Sequence, residues 1–354
     1  MGASPPSARG ISSGATVVDA GALSGRRGRA ASDATGSVSD QLDVLTLGEA
    51  LVAMTAASTG PLRGVTDFSR HMGGAELNVA VGLARLGHRA GWAGALGDDE
   101  FGRGILAFLR AEAVEVAGAR LDASAPTGVY FKERRALGRL RVHYYRAGSA
   151  ASRMRFADLD LEYLMSGRIL HLTGITAALS DSCRELTQEL VSAASERGVT
   201  VSFDANVRRL LFRERDPSAV LGPIVAGSDI LFLSDDEADL LLGGHDPDSV
   251  EAARRRMGVA TVVVHRADGA FAVEDSGLSS RDAYSVDVVD VVGAGDAFVA
   301  GFMSARLERQ DTGECLDRAN ACGACAVTVP GDAEGLPSRE DVLELQGRHF
   351  GIER

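Results

Sequence analysis

Lysine is all but missing from this sequence. Lys132 is the single example, and every other basic residue among the 37 is arginine. A phosphate loop ending in Gly-Lys-Ser/Thr, the strand lysine of a protein kinase and a buried Schiff-base amine each need that side chain in a set place. The first two patterns are absent, and Lys132, next to Glu133 and Arg134, reads as solvated. Phosphate chemistry, if the chain has any, falls to arginine, metal and backbone amides. Cysteine is scarce as well: Cys183, Cys315, Cys322 and Cys325. The last three share one stripe of a helix expected near residues 313–329, which implies a packed face, and no second pair or nearby histidine completes a zinc set. The seven histidines show neither His-x-His nor His-Glu-x-x-His, and a reducing cytoplasm is the simplest compartment. No apolar run reaches the ~18 residues a membrane span needs. Positive charge is in deficit, with a net −12, which argues against a nucleic-acid partner.

The chain is long enough, at 354 residues, for one large α/β domain or two smaller ones. Residues 1–40 are rich in Gly, Ala and Ser and lack aromatics, so they bury too little to offset ordering entropy and read as a disordered extension. Arg26-Arg27 opens like a twin-arginine signal, but no apolar stretch follows it. Residues 41–354 are expected to form the folded domain.

The most informative stretch runs from Asp287 to Phe302. A β-rich run ends at Val292, a small-residue turn follows (Gly293, Ala294, Gly295), and apolar residues then recur at helical spacing, Phe298, Phe302 and Met303. The reading is strand, tight turn, helix start. Backbone N–H groups at such a turn, with the helix dipole behind them, suit phosphate oxygens. Asp296 is out of place in a site that only binds anions. It suits one where a hydroxyl loses its proton beside a phosphoryl group, and a plain helix cap is the alternative.

Upstream, Leu42–Gly48 alternates as a first strand, and Gly73-Gly74-Ala75-Glu76-Leu77-Asn78 leads into an amphipathic helix that stops at Gly87. The double glycine lets a ligand approach the backbone, or is simply a helix entry. Segments 51–72 and 127–146 read as paired strands, and side chains two apart, such as Tyr144 and Arg146, share a face. From Ile169 onward strands and helices alternate, which predicts a parallel sheet covered on both faces, with ligands beyond the C-terminal strand ends. Polar residues gather there: Asp204, Asn206 and Arg208; Ser234 to Glu237; His265 to Gly269; and the Gly293–Asp296 turn. Four such ends on one side of a sheet argue for a shared site.

The order of these motifs, Gly73-Gly74 early and Gly293-Ala294-Gly295-Asp296 late, resembles the ribokinase-like sugar kinases, the phosphofructokinase B family, over Leu42 to about Arg354. Within it, Gly74–Asn78, Tyr144-Tyr145-Arg146 and Leu233–Glu237 resemble the 2-keto-3-deoxygluconate kinases. The resemblance implies a three-layer α/β sandwich with a mostly parallel central sheet and a small β-sheet lid. It makes Asp296 the general base, with the Gly293, Ala294 and Gly295 amides stabilising the transferred phosphoryl group. Gly74, Ala75, Glu76, Leu77, Asn78, Tyr130, Tyr144, Arg146, Arg208 and Asp332 match sugar positions. Ser234, Gly269 and Asn320 match positions around ATP, Glu237 the acidic position associated with Mg2+, and Asp290, with backbone oxygens near 326–331, a monovalent-cation (K+) site. The sequence departs from the family at Asp290-Val-Val, which lacks a usual hydroxyl, at Ser234 in place of Asn, and at His265–Gly269. By the same analogy the lid pairs two subunits in a homodimer. The implied reaction is transfer of the ATP γ-phosphoryl group to the terminal hydroxyl of 2-keto-3-deoxygluconate. A neutral-sugar kinase and a non-catalytic sugar or nucleotide sensor remain as alternatives, and an oxidoreductase is poorly supported because no Gly-x-Gly-x-x-Gly follows the first strand.

Overall fold

Apolar side chains in period two build the centre of the molecule. On one strand Leu231 and Leu233 face one core while Phe232, between them, faces the other; on the next, Val262 and Val264 flank Val263 in the same way. The computed structural model describes Met1, residues 41–136 and residues 139–348, so the expected extension over 1–40 lies outside the described residues.

In chain order the strands are β1 (Val44–Leu47), β2 (Leu51–Ala56), β3 (Phe68–Gly73), β4 (Ala90–Gly97), β5 (Ala119–Asp122), β6 (Gly128–Arg134), β7 (Leu140–Tyr145), β8 (Ile169–Thr173), β9 (Thr200–Asp204), β10 (Ile230–Ser234), β11 (Thr261–Arg266), β12 (Gly269–Glu274) and β13 (Gly277–Asp282). Among the described residues they form a nine-stranded sheet, β13-β12-β11-β10-β9-β8-β1-β4-β5, and a four-stranded sheet, β3-β2-β6-β7. The large sheet is parallel from β5 to β11, and β12 and β13 close it with antiparallel pairs. The outer strand β13 is mostly exposed and polar, as suits an edge.

Helices cover both faces. Ala75–Arg85, Ala294–Leu307 and Thr312–Val327 pack on the Phe232 face, where the Phe232 and Phe302 rings meet edge to face at 5.3 Å. Asp181–Arg197 and Pro217–Ala226 pack on the other. Cys315 and Cys322 are buried in the Thr312–Val327 helix, as the packed-face reading expects. The small sheet draws on both expected strand pairs, with β2 and β6 joined in parallel: Val52 stands opposite Val129 and Ala53 opposite Tyr130.

One expected strand is absent. Residues 287–292 form no strand: the chain bends at Val289 and enters a turn at Val292, and Val288, Val289 and Val291 are exposed. Val289 and Asp290 both donate their N–H to the Val327 carbonyl, so this segment is pinned to a helix end instead of a sheet. The valines give the run its β pattern, but among the described residues it joins no ladder.

Candidate active site

The C-terminal ends of β9, β10 and β11, the Gly293–Asp296 turn and the inner face of β6 and β7 enclose a cavity of about 420 Å³. Asp204, Asn206, Arg208, Ser234, Glu237, His265, Gly293 and Asp296 line its floor, and Tyr130 and Tyr144 come from the small sheet above, with Arg146 directly after β7. All four polar strand ends thus contribute to one space, although Gly269 does not reach it.

Gly293 caps the Ala294–Leu307 helix in the left-handed conformation, φ +81°. A side chain there would be strained, and its Cβ would stand 3.0 Å from the Asp332 carbonyl oxygen. The turn therefore presents bare amides at a helix N-terminus. Asp296, in the first helical turn, is buried and accepts a hydrogen bond from Asn78 Nδ2 at 2.7 Å. The same Nδ2 donates to Asp332 Oδ1 at 2.8 Å, and the Tyr130 hydroxyl donates to the other Asp332 oxygen. Burial pushes the Asp296 carboxyl up to about 7, the nearby Asp332 charge adding to it and the Asn78 bond opposing. That places it where a proton acceptor works at neutral pH. Asn78 Oδ1 is buried without a partner, an acceptor available to a hydroxyl.

Also on the floor, Asp204 is raised well above the ordinary carboxylate range by burial and by the charges of Glu237 and Asp296. Glu237 accepts the backbone N–H of Val207 at 2.6 Å and of Ser234 at 2.8 Å, completing a capping box with Ser234. Arg208 is exposed at the rim; its carbonyl accepts the Leu211 N–H at 2.7 Å, while its guanidinium makes no hydrogen bond or ion pair among the described residues, although its charge reaches Asp204 and Asp296. Arg146 is different. Its Nε donates to the buried Glu49 carboxylate at 2.6 Å, a second guanidinium nitrogen reaches the same oxygen, and Ser149 donates to the other oxygen at 2.8 Å. The guanidinium also lies 5.2 Å from the centre of the Tyr144 ring, so the two do face one space.

Bare amides at a helix N-terminus, a buried carboxylate and a cavity at one sheet end are what phosphoryl transfer would call for, and a model of the pfkB family carbohydrate kinases matches residues 41–339. The chain belongs to that family. It is 38% identical over 309 residues to a 2-dehydro-3-deoxygluconokinase of Thermoproteus tenax, covering 86% of this chain and 94% of the relative. Fructokinase-1 of Oryza sativa is 32% identical, over 85% of this chain and 97% of its own length. Among solved structures, an E. coli protein assigned to ribokinase II, in complex with ATP and Mg2+, matches with a TM-score of 0.81 and 26% identity, over 87% of this chain and all of the other. The fold is ribokinase-like, and the chain is a phosphotransferase acting on an alcohol group of a sugar.

Several residues stand elsewhere in this kinase than the resemblance implied. Gly74 and Ala75 line the cavity, but Glu76 and Leu77 are fully buried beneath it. Glu76 Oε1 accepts the hydroxyls of Thr173 and Thr176, both at 2.6 Å, so it braces the floor from below. Asn320 donates to the carbonyls of Arg281 and Asp282 and, like Gly269, does not line the cavity. Lys132 is not solvated: it is 2% exposed, and its Nζ donates to the Gly331 carbonyl at 2.8 Å, with Asp290 3.7 Å away. Glu49 was missed, although an acidic residue directly after the first strand sits where strand-end ligands are sought. Among the described residues no helix is long and apolar enough to cross a membrane.

Proposed function

We propose that this kinase phosphorylates the terminal hydroxyl of 2-keto-3-deoxygluconate, with Asp296 taking the hydroxyl proton and the Gly293–Gly295 amides and helix N-terminus holding the charge of the transferred phosphoryl group. Asn78, Tyr130 and Asp332 orient the acceptor end of the sugar, and Asn78 Oδ1 accepts one of its hydroxyls. ATP enters along the Ser234 side of the cavity. Mg2+ fits as an ion carried mainly by the nucleotide: no group of three or more ligating side chains exists among the described residues, and both Glu237 oxygens already hold backbone N–H groups. Glu237 would meet it through water, and the ion would neutralise charge on the phosphates. The small sheet acts as a lid that excludes water from the transfer.

The observation that carries the acidic-sugar reading is Arg208, an exposed guanidinium at the rim of the cavity that no protein acid holds in an ion pair, although its charge is felt by Asp204 and Asp296. A substrate carboxylate would give it a charge-assisted hydrogen bond, where a neutral sugar gives only hydroxyls. The relatives divide between the two substrate classes, and Glu49 already neutralises Arg146, which keeps a fructose-type acceptor as the second reading. Coupled assays with ATP on 2-keto-3-deoxygluconate, fructose and ribose decide between them. Wild type is expected to prefer the sugar acid, and Arg208→Ala to lose ~2–3 kcal/mol of kcat/KM on it, the worth of a hydrogen bond to a charge, with much less effect on fructose. A wild type that prefers fructose would overturn the acidic-sugar assignment.

A further inference from the structure

The strand β6 sends two side chains, Tyr130 and Lys132, from the lid onto neighbouring residues of one loop, Asp332 and Gly331. The Lys132 ammonium is buried, bonded to the Gly331 carbonyl at 2.8 Å and 3.7 Å from Asp290 Oδ2. Asp290 in turn accepts N–H groups from Val292 at 3.1 Å and Gly331 at 3.4 Å. Val292 directly precedes the phosphate turn, and Asp332 packs its backbone oxygen where a Gly293 side chain would go. One positive charge therefore ties together the lid, the 331–332 loop and the segment entering the turn.

A carboxylate and a converging carbonyl are hard oxygen ligands that would suit a monovalent cation, which is what the resemblance implied for Asp290 and the 326–331 oxygens. They do not fit a diffusible ion here, because a compact ammonium on its own stem already stands among them. Lys132 lines the active-site cavity, and a second opening, about 440 Å³, also reaches it and Asp290; Arg134 and Arg139 line that opening beside Arg135, which Glu133 pairs, a positive field that also disfavours a free cation.

We infer that Lys132 is a built-in replacement for a monovalent cation, a positioning residue that fixes the phosphate turn and does so only when the lid is in place. The enzyme then needs no potassium, and assembly of its phosphate site is bound to lid closure. This rests on reading Gly293–Asp296 as the phosphoryl-transfer end.

The test compares wild type and Lys132→Ala in KCl, methylammonium chloride and tetramethylammonium chloride at equal ionic strength, by thermal melting without substrates and by turnover. Wild type is expected to melt at one temperature and turn over at one rate in all three salts. Lys132→Ala is expected to lose turnover by roughly 10–100-fold, the usual cost of losing a support behind a reactive group, and to regain part of it, with a higher melting temperature, in KCl or methylammonium but not in tetramethylammonium. Wild type that is activated or stabilised by potassium overturns the inference, as does a Lys132→Ala protein of normal rate or one that no cation rescues. The wild-type melts decide even if the variant does not fold. A protein idle on every sugar would sink the proposed function and leave the melts to judge Lys132.

Discussion

Asp296 carries two consequences of one burial. Because its carboxyl is pushed up to about 7, the native protein keeps a proton that the unfolded chain has released above the ordinary carboxylate range. Stability from this group is therefore present at low pH and falls as pH rises through that window. On the proposed reading the ionised form takes the hydroxyl proton, so kcat/KM for the sugar should rise over the upper part of the same window and level off above about 7. Asp296→Asn should cut turnover ~10²–10⁴-fold while leaving nucleotide affinity intact or higher. Its melting temperature at pH 8 should exceed that of wild type. Near-normal turnover in a folded variant would reduce Asp296 to a helix cap. Arg146→Ala belongs to another class. It strands the buried Glu49 carboxylate, so denaturant unfolding should register a loss of ~3–5 kcal/mol, and Glu49→Gln in the same chain should recover part of it. Unchanged stability would show that water reaches Glu49. Asp296 is legible in the sequence because a carboxylate among glycines contradicts its surroundings. Lys132 is not, because its neighbours in sequence are charged while its burial is supplied by Gly331, 199 residues on.

At the scale of elements, the helix pair behind the phosphate turn is held by close approach. A Cβ at Gly301 would lie 2.8 Å from Cys322 Sγ and 2.9 Å from the Arg318 carbonyl oxygen of the next helix. Gly301→Val should cost ~1–3 kcal/mol by overpacking and should loosen the turn, seen as a higher KM for ATP together with a lower melting temperature. A variant as stable as wild type would mean that the pair can separate without harm. Period-two and period-3.6 patterns make most elements readable, as in the strand and helix alternation after Ile169, where the Pro217–Ala226 helix is capped by Asp216 and ended by Gly227. The valine run at 287–292 misleads for the complementary reason. Local propensity is present, but pairing is a long-range property, and the nearest acceptor is the carbonyl of a helix end.

For the whole molecule, the alternation of strands and helices after Ile169 conveys the parallel sheet and the side on which ligands bind, since connection handedness and strand-end geometry leave few arrangements. Which way the small sheet leans, and hence that Glu49 meets Arg146, is set by packing between distant segments that no local pattern encodes. Removal of residues 1–40 should leave melting temperature and turnover nearly unchanged, because that segment offers little to a core. A large fall in either would show that it packs on the fold.

The bonds that assemble the site also dictate when it can exist. Asn78 meets Asp296 and Asp332 across 218 and 254 residues, and Tyr130 meets Asp332 across 202. Contacts of that separation close late in folding, after their loop entropy has been met elsewhere. A chain still emerging from the ribosome should therefore hold nearly the whole sheet while the proposed proton acceptor, Asp296, is not yet in place, and it should stay catalytically silent until the 331–332 loop has been synthesised and docked. Activity then reports completed synthesis, and two separately expressed fragments cut between Asn78 and Asp296 should be idle alone and active only once they have found each other.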